Sequence, residues 1–311
     1  MLTYQSNAQI RRDLLDAFIE ARPPVVAYPA IFPQLSVPSR AGAIKYIPFS
    51  QVDTAPTSVV RTPGQAYEEA AVAMASAAYL CEDIGRQLSM DMAQEYPDGA
   101  EAAAAVALRY QLEAAIEARA VSALLTDATP AISTANNNLT NLTTAWSDPT
   151  VDPVAGVQAA MEVVASRTGG ILPNLLVVSP QLFTMLKTNP AIISRVSHMV
   201  DRSDETVAAM LAPIFGVERV VVSRARSGAS QVWPADTAVL AVAAMPGDLA
   251  SVPSACREVY WVGDGEPDSG GWVVETVDDE PTRSHIVRAR KNAALLVISP
   301  SGLYGLVQPQ S

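Results

Sequence analysis

The chain has 311 residues, is 49% apolar and 17% charged, and carries a formal net charge of −11. This length allows one large domain or two modest ones, and the composition excludes a disordered chain. No apolar run approaches the ~20 residues of a membrane helix. The start, MLTYQSNAQIRRDLLDAF, lacks the apolar centre of a signal peptide, so a soluble protein made in the cytoplasm is expected. The acidic balance argues against nucleic acid as a ligand of the whole surface.

The charge is uneven. Arg61 to Pro130 holds 4 basic and 11 acidic residues, whereas Pro281 to the end holds Arg283, Arg288, Arg290 and Lys291 and no acid. That asymmetry suits pairing between copies of the chain, or two solvated faces. Cys81 and Cys256 match no metal spacing and read as buried thiols rather than a disulfide.

Residues 1 to 22 form an amphipathic helix, with Ile10, Leu14, Leu15 and Phe18 on one face and Pro23-Pro24 ending it. Val25 to Pro38, with three prolines, predicts an extended arm lying on something else. Arg40 to Gly64 reads as a long hairpin-like loop. Tyr67 to Leu80 is ambiguous: its alanines favour helix, while Val72, Met74, Ala78 and Leu80 alternate as in a strand. Glu82 to Met92 reads as a short helix.

Asp98 to Leu125 is the dominant element, one long helix of strong helix formers spanning roughly 40 Å. Asp98 and Glu101 have capping-box spacing. Arg109, Glu113 and Glu117 follow at i, i+4 and form a polar stripe, either a solvated face or a subunit contact. Thr126 to Pro153 is a polar connector.

Asp152-Pro153 opens a helix over Val154 to Ser166, with Val157, Met161 and Val164 on one face and Gly169-Gly170 ending it. Leu175 to Val178 is a buried strand. Pro180 to Leu186, Ala191 to Val196 and Glu205 to Phe215 are helical. Strands follow at Arg219 to Ser223, Ala238 to Ala243, Glu258 to Val262, Trp272 to Thr276, Ser284 to Arg288, Ala294 to Ile298 and Leu303 to Val307. Trp233, Trp261 and Trp272 are expected to anchor the core of that second half.

This order of elements resembles the major capsid protein of tailed double-stranded DNA bacteriophages, the Hong Kong 97-type coat fold. The stretches that carry it are AYLCEDIGRQLSM (78 to 90), the long helix, LPNLLVVSPQLFTMLKT (172 to 188), FGVERVVVSRA (215 to 225) and HIVRARKNAALLVISPSGLYGL (285 to 306). The resemblance implies an α+β fold in five parts: an N-terminal arm (1–39), an extended loop (40–80), a peripheral domain with a spine helix (81–150), an axial domain (151–280) and terminal strands returning to the peripheral domain (281–311). It implies a structural protein of the virion that self-assembles into hexamers and pentamers of an icosahedral head. DNA is enclosed without sequence-specific binding, scaffold, portal and decoration proteins are further partners, and no membrane, cofactor or catalytic residue is called for. Candidate subunit-interface residues are Arg11, Arg12, Arg40, Lys45, Arg61, Glu113, Glu117, Arg288, Arg290 and Lys291. Some relatives carry a scaffolding segment of around a hundred residues before the arm; here the arm is expected to begin at Met1, with any scaffold a separate protein or absent. Lys45 lies near the base of the loop rather than its tip, which argues against the lysine–asparagine crosslink of some relatives.

Two other readings stand beside this one: an encapsulin-like shell enclosing a cargo enzyme, and a soluble α/β enzyme. Against an enzyme, there is no Gly-x-Ser-x-Gly elbow and no Walker-type phosphate loop. His198 and His285 read as ordinary surface or interface residues, and Asp278-Asp279-Glu280 as a solvated turn rather than a Ca²⁺ site. Arg288-Ala-Arg290-Lys291 either touches phosphate or pairs with acids near the long helix.

Overall fold

The computed structural model of the chain describes residues 8–52, 73–196, 204–245, 252–263 and 269–309. In chain order the elements are β1 (Gln9–Ile10), α1 (Arg12–Glu20), α2 (Tyr28–Ile31), β2 (Gln34–Val37), β3 (Ala41–Tyr46), α3 (Phe49–Val52), β4 (Ala75–Leu80) and β5 (Glu82–Asp91). The long helix α4 (Ala100–Val121) follows, extended by a π-helical turn (Ser122–Thr126), then β6 (Leu139–Asn141), α5 (Pro153–Arg167) and β7 (Leu175–Val178). Next come α6 (Pro180–Thr188), α7 (Pro190–Val196), α8 (Asp204–Phe215), β8 (Arg219–Val222), β9 (Arg226–Ser227), β10 (Ser230–Gln231) and β11 (Thr237–Ala241). The chain closes with β12 (Cys256–Trp261), β13 (Trp272–Asp279), β14 (Ser284–Val297) and β15 (Leu303–Val307).

Two sheets organise these elements. The first runs β1-β13-β14-β12-β2, with β5 also paired to β14; the second runs β6-β15-β11-β7-β8. The second is buried on both faces. Alternation sends Leu175, Val177, Val239 and Ala241 into the core shared with α1 and α4 and Leu176, Val178, Ala238 and Leu240 into the core under α5, α6 and α8. That explains the unbroken apolar run at Leu175 to Val178, since a strand buried on both sides has no polar alternation. β3 and β4 pair antiparallel as a separate two-stranded hairpin, with a small cluster of Val37, Ile44, Tyr79, Cys81 and Val259 at its base. Cys81 and Cys256 are free and buried.

The second half of the chain follows the sequence closely, except that the strands expected at Ser284 to Arg288 and Ala294 to Ile298 are one continuous strand, β14. Asp152 caps α5 by accepting from the Val154 N–H at 3.1 Å, and Ser179 caps α6 from Leu182 at 3.1 Å.

The first half departs from it in four places. Glu82–Asp91 is a strand, not a helix, pairing along β14 from Glu82↔Ala293 to Asp91↔Ser284. Its even positions Ile84, Leu88 and Met90 pack on the core, a period of two that its polar residues conceal. The ambiguous stretch resolves as β4 over residues 75–80, and its earlier part lies outside the described residues. The long helix starts at Ala100 behind Gly99 (φ 83°), with no side-chain cap from Asp98. The connector contributes β6, parallel to β15. Beside it Asn138 is buried and donates to the carbonyls of Ala131 (2.8 Å) and Pro300 (3.2 Å).

The sheets also cut across the boundaries drawn from sequence. β12 and β13, placed in the axial part, both pair with β14 in the first sheet, which β5 joins along β14. Of the terminal strands, β14 joins the first sheet and β15 the second.

Candidate functional site

The charged residues divide into those the fold consumes and those it leaves at the surface. The seam where the arm meets α4 consumes several. Glu117 is fully buried. Its carboxylate accepts from the N–H of Ala27 (3.0 Å) and of Tyr28 (2.7 Å) and from the Ser223 hydroxyl (2.7 Å). Burial pushes its carboxyl above the usual range, opposed by the Ser223 hydroxyl and the Tyr28 and Ala27 amides. Glu117 thus pins the start of α2, and the arm lies within the fold: Ala27, Tyr28, Ile31 and Phe32 are all buried.

One turn earlier, Glu113 pairs with Arg109 at 2.5 Å and takes the Tyr28 hydroxyl, whose pKa burial drives well above the ordinary phenol range. The Arg109 guanidinium lies 5.0 Å from the Phe18 ring and 5.4 Å from the Trp272 ring. The i, i+4 stripe is therefore neither solvated nor a subunit contact. Glu117 turns inward to the otherwise unpaired backbone donors of the arm, and Glu113 to the Tyr28 hydroxyl.

Lys291 and Glu258 form a second buried pair, both 0% exposed, at 2.6 Å. Gln34 of β2 donates to the other Glu258 oxygen at 3.0 Å, and the Lys291 ammonium lies over Tyr260 (5.5 Å) and Trp272 (5.4 Å). Glu113, Glu117 and Lys291 are accordingly removed from the candidate interface. Trp272 and Trp233 belong to the core shared with α1 and α4, and Trp261 packs at the hairpin base. Sequence reasoning missed Gln34, Tyr28, Ser223 and Glu258. A legible signal existed for Glu258 alone, a charge inside the buried strand CREVYW that demands a partner.

The other candidates lie elsewhere. On the opposite face of β14, Arg288 and Arg290 both reach Glu275, at 3.1 and 3.4 Å, and Arg288 also donates to Gln87 at 3.1 Å. With Asp83, Gly85 and Arg86 they line an open cleft. Gly85 permits this, because a Cβ there would stand 2.9 Å from that of Arg290. Arg12, Arg40 and Lys45 are exposed, and Arg40 donates to the Cys81 carbonyl at 3.1 Å. Arg11 pairs with Asp13 (2.7 Å) and Glu101 (3.1 Å). Arg61 and His198 lie outside the described residues. Among the described residues no group of acids, histidines and cysteines is arranged to hold a metal, and no helix is long and apolar enough to cross a membrane.

This α+β architecture is that of phage capsid proteins. It superposes on a phage-related protein from Bordetella bronchiseptica RB50 with a TM-score of 0.69 and 18% identity, over 96% of this chain and 97% of that one. The structure from Microbacterium phage Oxtober96 gives 0.59 and 11%, over 99% and 96%. A virus-like particle from Pyrococcus furiosus gives 0.57 and 11%, over 95% and 96%. No curated protein sequence matches the chain. The chain belongs to the phage capsid protein family, which matches residues 82–306. It is a structural protein of the capsid that associates with copies of itself, and not an enzyme.

Proposed function

We propose that the chain is the coat subunit that forms hexamers and pentamers and closes them into an icosahedral head around double-stranded DNA. The observation that carries this reading is the fold shared with phage capsid structures over nearly the whole chain. Two features support it physically. The β3–β4 hairpin stands apart from both sheets and exposes Ala41, Gly42, Ala43, Lys45, Ser76, Ala78 and Leu80, a surface suited to lying over a neighbour. β5 pairs with β14 alone among the described strands, and a ten-residue open edge is a pairing hazard unless something covers it.

In this reading the five-part division is kept, with β12 and β13 assigned to the first sheet. The contact residues are Arg12, Arg40, Lys45, Arg61, Arg288 and Arg290, and Arg11 serves the root of the arm. Scaffold, portal and decoration proteins are further partners. Negative-stain electron microscopy with light scattering on the purified protein tests it. Closed shells, or rings of five and six, are expected; a uniform monomer under all conditions, candidate scaffold included, would overturn it. The fold of the Pyrococcus furiosus particle supports a second reading, a shell enclosing a protein cargo. Protein in place of DNA inside purified particles would favour it.

A further inference from the structure

β5 runs along β14 and leaves its other edge open. Which peptide groups face that edge follows from the hydrogen bonds at its two ends. Just past the strand, the Met92 N–H donates to the Arg283 carbonyl, in line with β14. Backbone groups alternate in direction along a strand, so the even residues of β5 bond β14 and the odd ones turn away. The odd residues at the ends are already taken. The Cys81 N–H donates to the Arg40 carbonyl at 2.8 Å, and the Cys81 carbonyl accepts from Arg40 Nε at 3.1 Å. The Asp91 N–H donates to the Tyr96 hydroxyl at 3.0 Å. Between these two stops Asp83, Gly85, Gln87 and Ser89 are exposed, and their outward N–H and C=O groups meet no partner among the described residues. The opening over residues 83–89 is roughly 20 Å long, room for an added strand of about seven residues.

The two faces of the opening differ. Toward α4, Ile84, Leu88 and Met90 are half-buried against the core. On the other face the cleft of Arg288 and Arg290 begins behind Gly85, and its lining of Arg86, Arg288 and Arg290 outweighs that of Asp83 and Glu275. Residues directly opposite in a sheet share a face, and Gly85 has no side chain, so a residue paired across from it reaches over it toward the two guanidiniums. A strand that fits is apolar on one face and acidic on the other. The chain carries 32 acidic against 21 basic residues and associates with copies of itself, so a second copy is the charge complement of this edge. We propose that the β5 edge from Asp83 to Ser89 takes an extended segment of a second copy as an added strand, with an acidic side chain of that segment reaching over Gly85 to Arg288 and Arg290. This contact rests on the shell reading and gives that reading one main-chain joint between subunits, which also removes the pairing hazard of the open edge.

The test compares residue-resolved hydrogen exchange of the full-length chain in purified shells and as unassembled subunits. In the subunit the amides of Ile84, Arg86 and Leu88 should be protected by β14, and those of Asp83, Gly85, Gln87 and Ser89 should exchange freely. In shells the second set should slow ~10-fold or more. Shells in which those four amides exchange as fast as in the subunit would overturn the proposal and leave the shell reading standing. A uniform monomer under all conditions would overturn both. Ser89→Pro gives a second readout. The Ser89 N–H points away from β14, so proline there removes an edge donor without breaking the ladder. Its melt should match that of Ser89→Ala while its shell yield falls several-fold. Equal yields from the two folded variants would also overturn the proposal; should Ser89→Pro fail to fold, the exchange comparison decides.

Discussion

Arg290 and Lys291 are consecutive residues of one strand, yet they belong to different parts of the account. Lys291 points into the core, fully buried against Glu258. Arg290, with Arg288, lies on the other face, in an open cleft. Strand alternation sends neighbours to opposite faces, so the basic run that reads in sequence as one patch is one core ion pair and two surface cations. The same division runs along α4, where Glu113 and Glu117 serve the arm while Glu101 stays partly exposed at the first turn. Charge in this chain is a guide to assembly only after the fold has taken its share.

The largest test of that division concerns the arm. Leu14, Leu15 and Phe18 are buried in the main core, and truncating a buried Phe alone costs about 3–5 kcal/mol. Deleting residues 1–22 is therefore expected to unfold the subunit rather than spare its fold, as circular dichroism would show; a cooperative melt near that of the wild type would place the arm outside the core. Next is Lys291→Met, which strands a buried Glu258 and should cost about 3–5 kcal/mol in chemical denaturation. Arg288→Gln, across the sheet, should cost less than about 1 kcal/mol, because Glu275 keeps Arg290. Equal losses for the two would erase the distinction.

Glu117→Ala leaves the Ala27 and Tyr28 amides and the Ser223 hydroxyl without their acceptor. At about 1–3 kcal/mol for each buried unsatisfied group, three such groups put the loss at about 3 kcal/mol or more. It should come with faster exchange of the amides of residues 27–32; unchanged exchange there would show that the arm does not depend on this carboxylate. The smallest effect is at Asp152, the α5 cap, where Asp152→Ala should cost about 1 kcal/mol. The hydrogen bond from Arg195 holds its carboxyl below the usual range. Its contribution is therefore present above the unfolded carboxylate range, about 3.9, and lost as pH falls. A wild-type advantage that grew on acidification would have the wrong sign.

Much of the fold was legible in the sequence. The second half was readable because its strands and helices carry strong periods and caps, as at Leu175 to Val178 and Asp152-Pro153. The β5 strand was not, since its outward positions Asp83, Gly85, Gln87 and Ser89 look like an acidic helix and its pairing partner lies some two hundred residues away. The ion pairs at the seam were hidden for a related reason. Nothing near Glu117 in sequence announces Ala27 or Ser223, and a charge reads as solvated until a distant donor is known. The basic terminal run was visible as charge but not as two faces, because strand register fixes that and composition does not.

The most direct measurement sets shell yield against folding free energy for Lys291→Met and Arg288→Gln, using light scattering for assembled mass and denaturant melts for the subunit. The account predicts that Lys291→Met loses stability, with shells lost in proportion to unfolding. Arg288→Gln should keep its stability and lose shell yield several-fold. Wild-type shell yield from a stably folded Arg288→Gln subunit would contradict it and move the assembly contact off this face of the sheet.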